Sequence, residues 1–274
     1  MSDDKSRRTF LKIAGAAALG GIGAPVVAAF ASGPAEPAGK HWGMLIDLKR
    51  CLREQGCTKC TEACHTTHNV PDVSQPRFGY KTAEEIKRRE VKWIWKEKYD
   101  DVFHDQGHEY AAEAVSGKGI PVLCNHCKNP PCVRVCPTQA TFKRKSDGIV
   151  VMDMHRCIGC RYCVVGCPYG ARSFNWKDPW PQPFAKFGNP PNLKFPTRTK
   201  GVVEKCNFCA ERLVSAEREG KPFVPACVEV CPGKAMVFGD VGDESSEIRQ
   251  LLKTTYTIRR KTHLGTGPQV YYIV

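Results

Sequence analysis

The run Cys157-Ile158-Gly159-Cys160-Arg161-Tyr162-Cys163-Val164-Val165-Gly166-Cys167-Pro168 has the spacing C-x2-C-x2-C-x3-C-P. A tight loop of this kind brings its first three thiolates onto three irons of one iron-sulfur cube. The fourth cysteine is expected to open the next helical turn and to point away, toward a second cube. Pro168 suits the start of such a turn, where its missing N–H costs no hydrogen bond. Zinc would draw more naturally on two separated C-x2-C pairs around a single ion, and it stands as the alternative use of these thiols.

Working outward, the chain of 274 residues carries sixteen cysteines in four runs of four, with none left over. Cys124-Asn125-His126-Cys127 with Cys132 and Cys136-Pro137 is the same device with two extra residues before the third ligand. Cys206-Asn207-Phe208-Cys209 with Cys227 and Cys231-Pro232 loops out seventeen residues at that point. Closing a longer loop costs entropy that rises only slowly, so the insertion is tolerable. The first run departs most: Cys51 and Cys57 are separated by five residues, Cys60 follows, and Cys64 precedes His65 instead of a proline. Gly56 offers the enlarged loop a residue free to turn back. Of the sixteen, Cys51 fits the ligand pattern least well. His65 does not complete a heme-attachment motif, because Cys60 to Cys64 is one residue too long for C-x-x-C-H. His65 and His68 are expected to lie around a cluster or at the surface.

The runs resemble those of two-cluster bacterial ferredoxins, in which the last cysteine of each run serves the neighbouring cluster. The resemblance implies four [4Fe-4S] clusters: Cys51, Cys57, Cys60 and Cys231 at the first; Cys64, Cys206, Cys209 and Cys227 at the second; Cys124, Cys127, Cys132 and Cys167 at the third; Cys136, Cys157, Cys160 and Cys163 at the fourth. One ferredoxin-like unit would then be nested inside another. The four cubes would form a chain suited to electron hopping.

Short apolar runs bracket the cysteine loops: Met44 to Leu48, Ala140 to Phe142, Ile149 to Met152 after an Asp147-Gly148 turn, Ala171 to Phe174, Val202-Val203 and Ala235 to Phe238. They predict short strands framing cluster loops and small helices. The expected fold class is α+β: two nested bacterial-ferredoxin-like units with insertions, loop-rich, with metal supplying stability that a small core could not. Residues 45–70 with 197–240 would form the outer unit and 119–177 the inner one. Residues 71–118 read as an insertion, with Val91-Lys92-Trp93-Ile94-Trp95 alternating as a strand. Residues 32–44 read as a linker, 178–196 as a connector and 241–274 as a C-terminal tail. The apolar end, Tyr271-Tyr272-Ile273-Val274, suits either a partner or the chain's own sheet. Tyr162, Tyr169, Phe174, Trp176, Phe208 and Phe223 lie near ligands in sequence and are expected to keep water from the clusters.

Ser6-Arg7-Arg8-Thr9-Phe10-Leu11-Lys12, the weakly apolar stretch to Phe30, and Ala29-Phe30-Ala31 before Ser32 resemble a twin-arginine export signal over residues 1–31. An uncleaved N-terminal anchor is the alternative. The resembled pathway moves proteins already folded around their cofactors, so metal can be inserted in the reducing cytoplasm. That weakens a disulfide framework as a rival use of the cysteines. The formal charge of +13 suggests nucleic acid only while the cysteines are counted as neutral. Each cubane with four thiolates carries about −2, so the mature holoprotein would be near +3 and no nucleic-acid partner is expected.

Four such runs in this order, with Cys124-x-His126-Cys127-x-x-Pro130-Pro131-Cys132 and Lys205-Cys206-Asn207-Phe208-Cys209, resemble the four-cluster iron-sulfur subunits of DMSO/polysulfide-reductase-like complexes. The widened first run, the export signal, residues 197–205 and the Tyr-Tyr-Ile-Val end look most like the periplasmic iron-sulfur subunit of the sulfite-reductase-associated Dsr membrane complex. The resemblance implies an electron-transfer subunit, not catalytic alone, relaying electrons between a periplasmic cytochrome c and a quinone-interacting membrane subunit in sulfate or sulfite respiration. Implied partners are a polytopic quinone-interacting membrane subunit, a multiheme cytochrome c and other complex subunits. The implied location is periplasmic or extracytoplasmic, membrane-associated through those partners. The alternative is the electron-delivery subunit of an exported molybdopterin reductase or hydrogenase.

Overall fold

Strand β1 (Trp42–Asp47) is apolar throughout its middle because both its faces are covered, with Met44, Leu45 and Ile46 at 1% exposure or less. The computed structural model describes residues 39–104, 115–180, 192–196 and 198–274. The expected export signal lies outside the described residues, as do 105–114 of the expected insertion and 181–191 of the expected connector. Strand β1 begins at Trp42, so the segment expected to be a linker up to residue 44 already belongs to the body.

Asp47 ends the strand and caps helix α1 (Leu48–Arg53), its carboxylate accepting the Arg50 N–H at 2.9 Å. Helix α2 (Lys59–His68) ends on Asn69 in the left-handed conformation at φ 50°, a C-terminal position that asparagine tolerates. A 3-10 turn at Pro76–Phe78 precedes α3 (Ala83–Arg89), which opens with a capping box between Thr82 and Glu85. Strand β2 (Ile94–Lys98), the single turn α4 (Tyr99–Val102) and β3 (Gly119–Leu123) follow, with β2 and β3 antiparallel from Ile94↔Leu123 to Lys98↔Gly119. The strand expected over 91–95 thus starts three residues late. Val91 and Trp93 are buried without pairing, so their alternation reports burial and not a ladder.

The one-turn helix α5 (Pro131–Arg134) leads to β4 (Thr141–Lys143) and β5 (Val150–Met152), an antiparallel pair turning at Gly148. Next come α6 (Tyr162–Val165), β6 (Ser173–Phe174) and β7 (Val203–Glu204), the last two paired antiparallel. Helices α7 (Ala210–Glu219) and α8 (Ala226–Glu229) precede β8 (Met236–Asp240), α9 (Glu247–Thr254), β9 (Thr257–Ile258) and β10 (Val270–Ile273). The fold is α+β and loop-rich, with small sheets.

The largest sheet has the order β8-β1-β10-β9. In it β1 runs antiparallel to β8, with Leu45 opposite Val237, and parallel to β10, with Ile46 opposite Tyr272. Residues 241–274 are therefore no tail. Val270 and Tyr272, both fully buried, fill the flank of β1 that would otherwise be an open edge.

Candidate metal centres

All sixteen cysteines lie among the described residues, and none is paired in a disulfide. Three of the four runs share one backbone device. The residue before the second cysteine takes a left-handed conformation: His126 at φ 41°, Gly159 at φ 71° and Phe208 at φ 55°. This reverses the chain within the C-x-x-C loop and turns two thiols to the same side. Glycine does so without strain, and at Gly159 it is also required for space, since a Cβ would stand 2.4 Å from the Gly201 carbonyl. His126 and Phe208 are held there by packing, as their rings stack on each other at 3.6 Å.

The third cysteine of each of these runs sits in a one-turn helix: Cys132 in α5, Cys163 in α6 and Cys227 in α8. The fourth lies just beyond it and precedes a proline. Helical turn and fourth cysteine are thus the reverse of the sequence expectation. Cys167 does not open a helix; α6 ends before it, and Pro168 disfavours helical backbone at Cys167. In the first run no proline follows Cys64, and α2 accordingly continues to His68, carrying both Cys60 and Cys64. Gly56 turns the enlarged loop at φ 70°.

Two cavities are each lined by four cysteines drawn from two runs. Cys51, Cys57, Cys60 and Cys231 line one, together with Lys96. Cys124, Cys127, Cys132 and Cys167 line the other, with Asn125, Tyr169 and Arg172. A third group is defined by its effect on charge: burial pushes the Cys64 thiol well up, and neighbouring Cys206, Cys227 and Cys209 push it further. Burial likewise raises Cys51 to about 11, and Cys127 and Cys206 to about 12. Cys163 is raised by burial and by Cys132 and Cys157, though Arg172 opposes the shift. Cys136 is lowered: burial acts against ionisation, but hydrogen bonds from the Thr141 N–H and from Thr138 outweigh it.

The surroundings fit thiolate-bound, anionic cubes. Four thiols around one cavity suit a cubane, which spreads its thiolates over four separate irons, whereas zinc gathers its ligands on a single ion. Asn125 lines the second cavity at 1% exposure, and neither its Oδ1 nor its Nδ2 has a partner, leaving an amide donor at the site. Lys205 is buried and donates to the carbonyls of Val150 and Cys206. Arg172 is buried and donates to Cys132 Sγ at 3.0 Å. Cations in such positions offset the charge of a site at about −2. Sequence reasoning missed both, because neither a period nor a motif separates a buried cation from a surface one.

His68, expected around a cluster or at the surface, is fully buried against Trp93 with ring centroids 4.3 Å apart, and its Nδ1–H donates to the Cys64 carbonyl at 2.9 Å. Burial drops its pKa to about 4, so the ring is neutral. His126 is held neutral by the same cause, with Nδ1 accepting the Val150 N–H at 3.1 Å. The nearby Arg198–Glu204 pair is buried at 1% and 0% side-chain exposure, and Trp93 and Asn175 also donate to the carboxylate.

The shielding role expected of the aromatics divides. Tyr169 and Phe208 are buried, but Tyr162 is 62% and Trp176 42% exposed. They border an open groove of about 560 Å³ that reaches Cys160, the one exposed cysteine. Lys87, Arg88, Arg89, Lys92 and Arg161 make the groove basic, against Glu90 alone. Ile158 and Val165, beside it in sequence, are also exposed. Among the described residues no helix is long and apolar enough to cross a membrane.

The family model for a 4Fe-4S dicluster domain matches residues 115–181, which hold the second and third cysteine runs. The Hdr-like menaquinol oxidoreductase iron-sulfur subunit 1 of Archaeoglobus fulgidus is 42% identical, over 97% of this chain and 97% of its own length. The menaquinone reductase iron-sulfur cluster-binding subunit of Nitratidesulfovibrio vulgaris is 36% identical over 85% of this chain and 88% of its own length. A tetrathionate reductase subunit of Salmonella typhimurium is 35% identical over 98% of this chain and 88% of its own length. The chain therefore belongs to the four-cluster ferredoxin-type iron-sulfur subunits of DMSO/polysulfide-reductase-like complexes, and it is an electron-transfer subunit carrying [4Fe-4S] clusters, not a catalyst on its own.

Proposed function

We propose that the chain relays electrons singly between a periplasmic multiheme cytochrome c and a polytopic quinone-interacting membrane subunit, in the respiration of sulfur compounds such as sulfite. The ordering of the cysteine groups carries this reading. Cys60 bears on Cys64 and Cys227, Cys124 on Cys206, and Cys132 on Cys163, which supports a succession of four neighbouring groups. Along it the ligand sets are Cys51, Cys57, Cys60 and Cys231; Cys64, Cys206, Cys209 and Cys227; Cys124, Cys127, Cys132 and Cys167; and Cys136, Cys157, Cys160 and Cys163. The bound clusters supply reversible one-electron storage. The residues around them exclude water, donate hydrogen bonds and offset charge.

Two nested units are part of the proposal, an outer one of 45–70 with 197–240 and an inner one of 119–177. The β1–β8 pairing across the outer pieces and the β4–β5 pairing within the inner one support it. The quinone side is supported by the relatives named for menaquinol and menaquinone. Export by the twin-arginine route rests on Arg7 and Arg8. Relatives named for tetrathionate and dimethyl sulfoxide reductases favour a second reading, in which a separate exported catalytic chain exchanges the electrons.

The test is iron quantification and redox titration followed by EPR on the anaerobically isolated complex. About sixteen irons per chain and four one-electron transitions are expected. A colourless protein with negligible iron overturns the relay, and molybdenum or nickel in the complex selects the second reading. Export that continues unchanged in an Arg7→Lys, Arg8→Lys variant overturns the targeting assignment.

A further inference from the structure

Four cations are buried among the described residues: Arg172, Arg198, Lys205 and Arg260. Arg198 has Glu204 as its partner; the other three have no carboxylate within ion-pair distance among the described residues. A buried cation without a counterion is costly, so each of the three points to negative charge that side chains do not supply. Arg172 has the most specific geometry. Its Nη2 donates to Cys132 Sγ at 3.0 Å and to Thr141 Oγ1 at 2.6 Å, and its Nη1 lies 3.9 Å from Met152 Sδ. Thr141 in turn donates to the Val151 carbonyl at 3.0 Å, fixing the hydroxyl that receives the guanidinium. Arg172 lines the cavity of Cys124, Cys127, Cys132 and Cys167 and also borders the basic groove at Cys160. It therefore stands between the third and fourth ligand sets.

We propose that Arg172 is a positioning residue that raises the reduction potential of the cluster held by Cys132, and to a lesser degree that of the cluster held by Cys163. The proposal rests on the four-cluster relay above. Reduction adds one electron, supplied by a reduced partner subunit, to a site of charge about −2, and no bond forms or breaks. A guanidinium donating to a ligand sulfur favours the more negative state, since hydrogen bonds to the sulfurs and net charge both set such potentials. Lys205 donates only to backbone carbonyls. Arg260 packs over the Tyr169 ring, with its Nε and Nη1 unpartnered. Both lack a bond to a cysteine sulfur, which sets Arg172 apart from them.

The experiment is an EPR-monitored redox titration of the intact complex carrying Arg172→Gln, Arg172→Lys or Thr141→Val, with iron counted in each. Arg172→Gln is expected to keep its iron and to lower one transition by at least tenfold in the reduction equilibrium, about 59 mV. At least two of the four transitions should stay in place. Arg172→Lys, which keeps the charge, should recover part of the loss, and Thr141→Val should show a smaller drop in the same transition. Should Arg172→Gln lose iron, the lysine and Thr141→Val variants decide the matter alone. The proposal is overturned if the variants that retain wild-type iron keep all four potentials, or if all four potentials move together. Wild-type complex short of iron would instead sink the relay itself, so the two failures are distinct.

Discussion

His126 and Phe208 stack face to face, their ring centroids 3.6 Å apart and their planes 15° from parallel, although 82 positions separate them in sequence. Each stands before the second cysteine of its own C-x-x-C loop, in the left-handed backbone that the loop demands. One contact thus holds two strained loops, from the second and fourth cysteine runs, against each other.

Phe208→Ala should remove that brace. Emptying a buried phenylalanine site costs about 3–5 kcal/mol, and the loops at Cys206 and Cys124 should loosen together. Anaerobic denaturant titration read by the visible absorbance of the clusters is the check. A midpoint equal to wild type would show that the stack carries no stability.

Glu204→Gln should be as damaging without creating a cavity. The carboxylate accepts from Arg198 Nε and Nη2 at 2.7 and 2.6 Å, and the amide would leave Arg198 buried without a counter-charge. Breaking one side of a buried pair costs about 3–5 kcal/mol. The double variant Arg198→Met, Glu204→Gln should regain part of that loss in the same titration.

Acid should destabilise the fold through His68. Its folded pKa of about 4 lies below the unfolded value of 6.5, so the unfolded chain binds the proton first as pH falls. The stabilisation is complete above the unfolded value and is lost progressively down to the folded one, to a total of about 3 kcal/mol. His126, also lowered by burial, acts in the same direction. His68→Phe keeps a ring beside Trp93 and should flatten the dependence, measured by urea midpoints at about pH 7.5 and about pH 5.

Cys51→Ser should reduce iron to about twelve atoms per chain while the rest of the protein stays folded. Cys51 lines the cavity with Cys57, Cys60 and Cys231 despite the widened loop, so its loss should empty that site alone. Undiminished iron in the variant would remove Cys51 from the ligands.

Charge reversal in the groove, Lys87→Glu with Arg88→Glu, should slow electron exchange with the partner at the Cys160 end about tenfold at low ionic strength. The difference should shrink as salt is raised, while the four potentials remain those of wild type. Equal rates at every salt concentration would show that no partner docks there.

The cysteines were legible in the sequence because their spacing is local: a loop and one helical turn gather the first three thiols of a run, whereas Cys231 and Cys167, which join two of the cavities from distant runs, were expected there only through the ferredoxin resemblance. The prolines after Cys136, Cys167 and Cys231 read as the start of a helical turn, but each follows a one-turn helix that has already ended, and the missing proline after Cys64 explains the length of α2. Contacts made over long separations outside the cysteine groups were not legible. Nothing near Tyr272 says that it will lie beside Ile46 in a parallel pair. Tyr162 is next to Cys163 in sequence yet points to solvent, because a one-turn helix shows its other face outward. Arg172 and Lys205 resemble any surface cations until folding buries them.

Cys60 and Cys64 stand one turn apart on α2, a pitch of about 5.4 Å. Under the proposed ligand sets they belong to different clusters, so the first hop of the relay is measured by a single turn of helix. Such a spacing acts as a ruler: breathing of the surrounding loops hardly alters it. Tunnelling between these two centres should therefore vary little with solvent viscosity, and any viscosity-sensitive step in turnover would belong to the encounter with partners at the ends.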